Sequence, residues 1–189
     1  MRGRASSSVL YAQLSLALFL ALCISLQPGM VLKWNEAGLS NYGVHIKTAV
    51  PYSLAFSVCA LLTFVAARHL EGTSTPRLRL RVLLVTYGIL NLLALASTYG
   101  YTLNAPLKHV HMVVGISLML FEPLGALWLF PHVEGRTAAR WWLGAELAGL
   151  VLGVIDFAAI LHILFLAQLV TGVSFGVLLV SATRRVEVQ

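Results

Sequence analysis

Residues Trp34 to Lys47 read WNEAGLSNYGVHIK, and they form a long polar interruption between two apolar runs. Each flanking run is long enough to cross a membrane, which takes about 20 residues. The interruption carries several side chains that can bind or react, whereas the apolar runs carry few. We therefore predict that these residues form a loop, held like a lid against the ends of helices that span the membrane.

The composition of the whole chain also indicates a membrane protein. Of its 189 residues, 59% are hydrophobic and 11% are charged, and the mean hydropathy is +0.86. A soluble domain carries about 25% charged residues, so this chain has too few to cover itself with a polar surface. The two cysteines, Cys23 and Cys59, each lie inside an apolar run, which favours buried free thiols over a disulfide.

Six apolar segments are predicted to be membrane-spanning helices of a single all-α domain, 1–189. They cover about residues 9–27, 49–68, 82–102, 109–130, 141–158 and 162–182. The last two come from one nearly continuous apolar stretch, Trp141 to Ala182, which is about twice as long as one crossing needs. The first segment resembles a signal peptide, but it is longer than the usual core of about 7–15 residues. We therefore expect a retained first helix, with cleavage as the alternative.

The basic residues predict how these helices are oriented. With the N-terminus in the cytoplasm and six alternating crossings, all ten arginines fall on the inner side and the three lysines on the outer side. Such a bias places both termini in the cytoplasm. It also accounts for the net charge of +6 without a nucleic-acid partner. Because arginine is preferred over lysine, the expected location is the plasma membrane of a bacterium, its inner membrane.

Three polar residues inside the apolar segments, Asn91, Glu122 and Glu146, are predicted to face the interior of the bundle. A charged side chain that faces lipid costs at least about 2.5–3.5 kcal/mol. At 100° per residue, Glu122 shares a helix face with His111, and Glu146 shares one with Asp156. Two interpretations remain open: the acids lock the bundle through hydrogen bonds, or they form a protonatable relay or cation site.

Small residues predict close contact between the fifth and sixth helices. The fifth helix has Ala145, Gly149 and Gly153 at intervals of four, and the sixth has Gly172 and Gly176. Small side chains at this spacing let two helices approach closely in lipid. Because the connection between these helices is short, we expect them to be antiparallel neighbours whose glycine faces meet.

Many of the remaining polar residues are predicted to gather at the outer ends of the helices. The candidate ligand-binding residues are Trp34, Ser40, Asn41, Tyr42, His45, Lys47, Lys108, His111, Asp156 and His162. We expect a non-enzymatic protein that binds membrane lipids or another membrane protein at this face. In that arrangement Trp34 and Tyr42 would lie at the level of the headgroups, and Lys47 or Lys108 would contact a phosphate. A homo-oligomer is a further alternative.

Two other functions remain open. One is a small proton-coupled transporter that uses Glu122 and Glu146. The other is a membrane-embedded metal-dependent hydrolase, because imidazole and carboxylate groups bind zinc and iron. Its ligands would be His45, His111, Asp156 and His162. No His-x-x-x-His motif or cysteine pair fixes such ligands locally, so no metal or other cofactor is predicted.

Ser40 invites a separate comparison with serine hydrolases. Together with His45 and Glu36 it supplies a nucleophile, a base and an acid that could orient the base. No nucleophile elbow or strained turn surrounds Ser40 in the sequence. We therefore assign no catalytic residue, and a non-enzymatic role is favoured.

The pattern resembles uncharacterised six-helix bacterial membrane proteins that are distantly similar to the DRAM-like group. Those proteins have a Ser-Asp-x-Gly-type element before the second helix, and histidines and a proline in the fourth. The matching residues are Ser40, Asn41, Tyr42 and Gly43, then His109 and His111, then Pro123. Asn41 stands where that family has aspartate. The resemblance covers nearly the whole chain and implies the six-helix architecture.

Overall fold

The computed structural model describes residues 3–26, 38–100, 105–133, 135–158 and 162–188. These ranges are largely helical and contain no strand. The α-helices are α1 (Arg4–Leu26), α2 (Ser40–Val44), α3 (Ala49–His69), α4 (Thr75–Gly100), α5 (Ala105–Leu129), α6 (Arg136–Phe157) and α7 (Leu164–Val188). A short 3-10 helix, Phe130–His132, follows α5.

The described residues contain six helices that are long and apolar enough to cross a membrane, which are all of these α-helices except α2. A polypeptide in lipid must satisfy its backbone hydrogen bonds internally, and a helix does so within one segment. The predicted all-α bundle of six spanning helices is therefore confirmed. The protein is a multi-pass membrane protein.

Four helices extend further than predicted at the end of the bundle that carries most of the arginines. α1 begins at Arg4 instead of residue 9, α4 at Thr75 instead of 82, and α6 at Arg136 instead of 141, while α7 ends at Val188 instead of 182. Hydropathy marks only where the apolar part stops, and arginine is a good helix former. We call this end of the bundle the basic end. The opposite end, which carries α2, is the loop end.

Glu187, near the C-terminus of α7, caps the start of α1. Its Oε1 accepts hydrogen bonds from the backbone N–H groups of Ala5 at 2.9 Å and Ser6 at 3.2 Å. Its Oε2 accepts one from the Ser6 hydroxyl at 2.7 Å. The first N–H groups of a helix have no partner within it, and the helix dipole favours a negative charge there. This contact therefore joins the two ends of the chain at the basic end.

The last helix, α7, has the largest buried share of the six spans and contacts α1, α5 and α6. α3 packs against both α1 and α4. Buried side chains form one cluster that includes Tyr87 and Phe175 and a second at the loop end that includes Phe19, Tyr42 and Tyr52. A ligand that lies between the helices would therefore contact α7.

The predicted contact between the glycine faces of the last two helices is only partly correct. Gly149 of α6 does face α7, where an added Cβ would lie 2.7 Å from Thr171 Cγ2. Gly176 faces α1 instead, where an added Cβ would lie 2.5 Å from Gln13 Oε1, and Gly172 lines a cavity. Because α7 has neighbours on several sides, only one of its stripes meets α6, and that stripe carries Ala167 and Thr171.

Residues 38–47 of the predicted outer loop pack against the helix ends through their buried side chains. They contain α2, whose Tyr42 and Gly43 are buried. An added Cβ at Gly43 would lie 2.5 Å from Thr98 Cγ2, so α2 approaches α4 as closely as a glycine permits. Thr48, the residue before α3, makes no side-chain cap, and its hydroxyl donates to the Tyr42 carbonyl at 2.7 Å. That bond ties α2 to the start of α3.

Candidate functional site

A cavity of about 560 Å³ lies between α1, α4, α5 and α7. Its wall is mostly apolar and includes Leu14, Leu118, Leu169 and Val173. Leu14 and Val173 are each also 46% exposed. The cavity therefore reaches the surface that faces lipid. Its volume lies within the range of about 300–1,000 Å³ that ligand pockets have.

Polar side chains line this cavity in two groups. The group at the loop end consists of Ser40, Tyr52, His111 and Gln168, and the group deeper in the bundle consists of Gln13, Tyr87, Asn91, Glu122 and Thr171. The cavity thus brings together four of the residues that the sequence singled out: Ser40, His111, Asn91 and Glu122. Arg184 lines its far side at the basic end.

His111 is buried at the start of α5 and lies between two serines. Its Nε2 is 2.8 Å from the Ser40 hydroxyl of α2, and its Nδ1 is 2.9 Å from the Ser97 hydroxyl of α4. These contacts join α2 to the consecutive helices α4 and α5, and Ser40 is 71 residues away from His111 in the sequence. They replace the predicted proximity of Ser40 to His45 and Glu36. Glu36 lies outside the described residues, and the base that meets Ser40 is His111.

Gln168 of α7 holds the residue before Ser40. Its side-chain Oε1 accepts a hydrogen bond from the backbone N–H of Leu39 at 2.7 Å. Gly38 makes this contact possible, because its φ is +66° and an added Cβ would lie 2.4 Å from that same Oε1. A side chain at position 38 would be strained in this conformation and would displace Gln168. The start of α2 is therefore fixed to α7 at the mouth of the cavity.

Tyr42 is fully buried beneath α2, so its side chain is not exposed to lipid. Its ring packs against Phe19 with the centroids 6.1 Å apart and against Phe165 with the centroids 5.7 Å apart. Burial, with a smaller contribution from Cys23, raises the pKa of Tyr42 to about 12. This tyrosine contributes to packing at the loop end.

Glu122 and Asn91 belong to one buried polar group in the deeper part of the cavity. The side chains of Tyr87 and Thr171 lie near the Glu122 carboxyl. The side-chain amide of Asn91 donates to the Tyr87 carbonyl at 2.8 Å. All four side chains are buried, as the helical pattern predicted for Glu122 and Asn91. The Glu122 carboxyl therefore sits in a polar patch within an otherwise apolar wall.

Glu146 of α6 is fully buried and close enough to Glu122 for their charges to interact. Among the described residues, neither of its carboxyl oxygens has a hydrogen-bond partner. The backbone N–H of Phe175 lies near this carboxyl, but it belongs to the hydrogen-bond ladder of α7. A buried polar group without a partner costs about 1–3 kcal/mol. The two acids thus lie close together, but only Glu122 lines the cavity.

Asp156 and His45, two further predicted site residues, make local contacts outside the cavity. Asp156 Oδ1 accepts a hydrogen bond from the backbone N–H of Ile163 at 2.6 Å, which closes the connection between α6 and α7. His45 Nδ1 accepts one from the backbone N–H of Lys47 at 3.4 Å. Both contacts shape the ends of helices, and neither side chain lines the cavity.

The other residues of the predicted outer face are not brought together at the cavity. Lys47, Lys108 and His162 are exposed, and Asn41 is half-buried without lining the cavity. Trp34 lies outside the described residues. Within the ranges that the structure covers, no three or more His, Cys, Asp or Glu side chains form a group that could hold a metal ion.

Several polar residues of the cavity were not predicted as site residues. Gln13 and Gln168 lie inside apolar segments, so the rule that selected Asn91 would have selected them too. Ser97 and Thr171 gave no such signal, because serine and threonine in a spanning helix often bond to the carbonyl one turn earlier. Only the packing of α4 and α5 brings Ser97 to His111.

Comparisons with family models, with curated proteins and with solved structures found no match to this chain. The resemblance to DRAM-like proteins accordingly remains an expectation. The functional argument depends on the cavity and on the residues that line it.

Proposed function

We propose that this protein binds an amphiphilic, lipid-like molecule in the cavity between α1, α4, α5 and α7. The observation that carries the proposal is the apolar cavity of about 560 Å³, which reaches the lipid-facing surface at Leu14 and Val173. A hydrocarbon chain can enter there without crossing water. The polar groups inside provide the few directed contacts that fix the orientation of a ligand.

The polar part of the ligand is expected at the loop end, beside Ser40, His111 and Gln168. These side chains come from three different elements, α2, α5 and α7, and all of them line the cavity. The opposite end of the cavity has the exposed Arg184. By the distribution of arginines, we propose that the loop end faces outward and that both termini are cytoplasmic, in a bacterial plasma membrane. The ligand would then be taken from the outer leaflet.

The proposal can be tested by filling the cavity. Gly172 lines it, and an added Cβ there meets no atom within 4 Å, so a leucine at this position would project into open space. We expect the Gly172→Leu variant to retain at least about tenfold less co-purifying lipid than the wild type, because the chain of the ligand and the new side chain compete. Native mass spectrometry and lipid extraction measure the retained amphiphile.

The matched control is Gly144→Leu. Gly144 is exposed on α6, also has no atom within 4 Å of an added Cβ, and does not line the cavity. A leucine at this position adds the same apolar surface to the protein without filling the cavity. Equal retention of lipid by both variants, or none by the wild type, would contradict the proposal.

A second function, a proton-coupled carrier, is favoured by one observation: Glu122 lines the cavity next to the unpartnered Glu146. The other titratable groups that interact with Glu122 are Tyr87 and Cys59. A carboxyl at the wall could exchange a proton when a ligand enters or leaves. Proton release from liposomes on addition of a ligand, lost in Glu122→Gln but kept with the exposed Glu71→Gln, would support this function. Release unchanged in Glu122→Gln would remove it.

A further inference from the structure

The Ser40 hydroxyl and the His111 imidazole form a pair that can do more than bind. They are 2.8 Å apart, within the range of a nucleophile and its general base. Both line the same apolar cavity. A serine with an adjacent base at the loop end of a hydrocarbon-sized pocket is suited to an ester whose acyl chain occupies that pocket.

The neighbouring hydrogen bonds favour the tautomer of His111 that carries its hydrogen on Nδ1. The Ser97 hydroxyl donates its own hydrogen to the Ala94 carbonyl at 3.2 Å. Its oxygen is then an acceptor for the Nδ1–H of His111, 2.9 Å away. A neutral imidazole with hydrogen on Nδ1 has its lone pair on Nε2. That lone pair faces the Ser40 hydroxyl, which is the tautomer that a base requires.

The neighbouring hydroxyl pair of Tyr52 and Thr98 is a structural contact with which the Ser40–His111 pair can be compared. Tyr52 and Thr98 are both buried, and their oxygens are 2.9 Å apart. Thr98 donates to the Ala94 carbonyl at 2.7 Å, so Tyr52 must be the donor to Thr98. Ser40 lies near the Tyr52 hydroxyl, but it differs from that pair in being only half-buried and in facing an imidazole. It is therefore accessible from the cavity, as a nucleophile must be.

Gln168 supplies a donor for the charge that develops during such a reaction. Its Oε1 accepts from the N–H of Leu39, the residue before Ser40, and its Nε2 is an amide donor on the same side chain. An amide donor near an acyl carbonyl stabilises the oxyanion of the tetrahedral intermediate. Since Gln168 also lines the cavity, the same residue can contact the ester of a bound amphiphile.

We propose that Ser40 is the nucleophile and His111 the general base of an acyl-transfer reaction on an ester-linked amphiphile in this cavity. The proposal goes beyond binding. Ser40 Oγ attacks the ester carbonyl while its proton passes to His111 Nε2. The C–O bond to the leaving alcohol then breaks, and that alcohol takes the proton from His111. Water, activated by His111, attacks the acyl-serine, releases the fatty acid and restores the Ser40 hydroxyl.

Covalent labelling tests the nucleophile directly. The full-length protein in detergent is treated with an alkyl fluorophosphonate, and the modified residue is located by peptide mass spectrometry. We expect the adduct on Ser40, because only a serine activated by a base displaces the fluoride at a useful rate. An adduct spread over several serines, or none on Ser40, would overturn the proposal. This readout needs no variant to fold.

Variants then separate the roles. Ser40→Ala should abolish hydrolysis of a long-chain nitrophenyl ester, and His111→Gln should lower it about 100-fold or more. Ser97 is a positioning residue, so Ser97→Ala should lower kcat with little change in KM, and Ser97→Thr should restore it. Ser117→Ala is the matched control, because Ser117 is on α5, bonds to the Val113 carbonyl and does not line the cavity.

The outcomes also distinguish this proposal from amphiphile binding. If the wild type retains a lipid that Gly172→Leu loses, but neither labels at Ser40 nor hydrolyses the ester, binding stands and acyl transfer fails. Hydrolysis that is unchanged in Ser40→Ala likewise overturns the proposal, since the activity must then come from another group. A wild-type protein that neither retains a lipid nor labels at Ser40 would contradict both proposals.

Discussion

The bundle has two polar regions whose side chains are satisfied to very different degrees. At the loop end, Ser40, Ser97 and His111 are bonded to one another across three elements. In the interior, polar side chains approach the Glu122 carboxyl, whereas the Glu146 carboxyl has no hydrogen-bond partner among the residues that the structure describes. The first region suits chemistry that needs fixed geometry, whereas the second suits a change of protonation. Four predictions test this difference between the two regions, and the one with the largest expected effect comes first.

Gly43→Val should disrupt the loop end and cost the most stability. The new side chain collides with Thr98 and Tyr52, which lie 2.5 and 2.8 Å from an added Cβ. We expect a loss of about 3 kcal/mol, at the upper end of overpacking costs, and Ser40 should move away from His111. Thermal unfolding in detergent measures the first effect and fluorophosphonate labelling the second. Gly144→Val, on an open surface, is the control, and equal stability of the two variants would contradict this account.

The two buried acids should respond to leucine with opposite signs. Glu146→Leu removes a carboxyl without partners and should stabilise the protein by about 1–3 kcal/mol. Glu122→Leu removes the carboxyl that the Tyr87 and Thr171 side chains approach, and it should destabilise the protein by a similar amount. Thermal unfolding of both variants in the same detergent tests the difference. Destabilisation by both would mean that Glu146 has a partner essential to the fold.

Tyr52→Phe should have a smaller effect, confined to the loop end. It removes the hydroxyl that donates to Thr98 at 2.9 Å inside the core. We expect a loss of about 1 kcal/mol, the usual net value of one hydrogen bond. A double-mutant cycle with Thr98→Ala measures the coupling by thermal unfolding. A coupling of zero would show that this bond does not hold α3 to α4.

Tyr42→Phe should change the pH dependence of stability more than the stability at pH 7. Because burial raises the pKa of Tyr42 from 10 to about 12, its contribution to stability is complete below pH 10 and is lost as the pH rises towards 12. Phenylalanine does not titrate, so the variant should lose less stability between pH 9 and 11. The exposed Tyr11→Phe serves as the control in thermal unfolding. Equal losses in both variants would contradict a buried Tyr42 phenol.

The bundle as a whole could be predicted because its signals are local. Each spanning segment is marked by its own apolar composition, and the helix ends at the basic end were missed only where arginines continue a helix beyond that apolar part. The inward placement of Glu122 and Asn91 followed from helical periodicity, which needs no knowledge of neighbours. The contact between Gly149 and α7 was also predictable, since the short connection between α6 and α7 makes them adjacent.

The candidate site could be predicted only in part. Ser40 and His111 were both selected as polar residues near helix ends, but Ser40 was paired with His45, which is nearer in the sequence. The contact that forms joins residues 71 positions apart. Gln168 and Ser97 were not selected, because their importance comes from what they touch.

The amino-acid sequence alone determined three properties of this chain. It has six helices that can cross a membrane, its arginines lie at one end of the bundle, and its two central acids face inward. These properties follow from the free-energy cost of exposing polar groups to lipid, and that cost depends on the composition of each segment alone. The tertiary structure decided that α7 is central, that a cavity remains beside it and that Ser40 meets His111. In lipid, helices associate through close packing of particular small side chains, and such complementarity exists only between surfaces that the fold has already brought together.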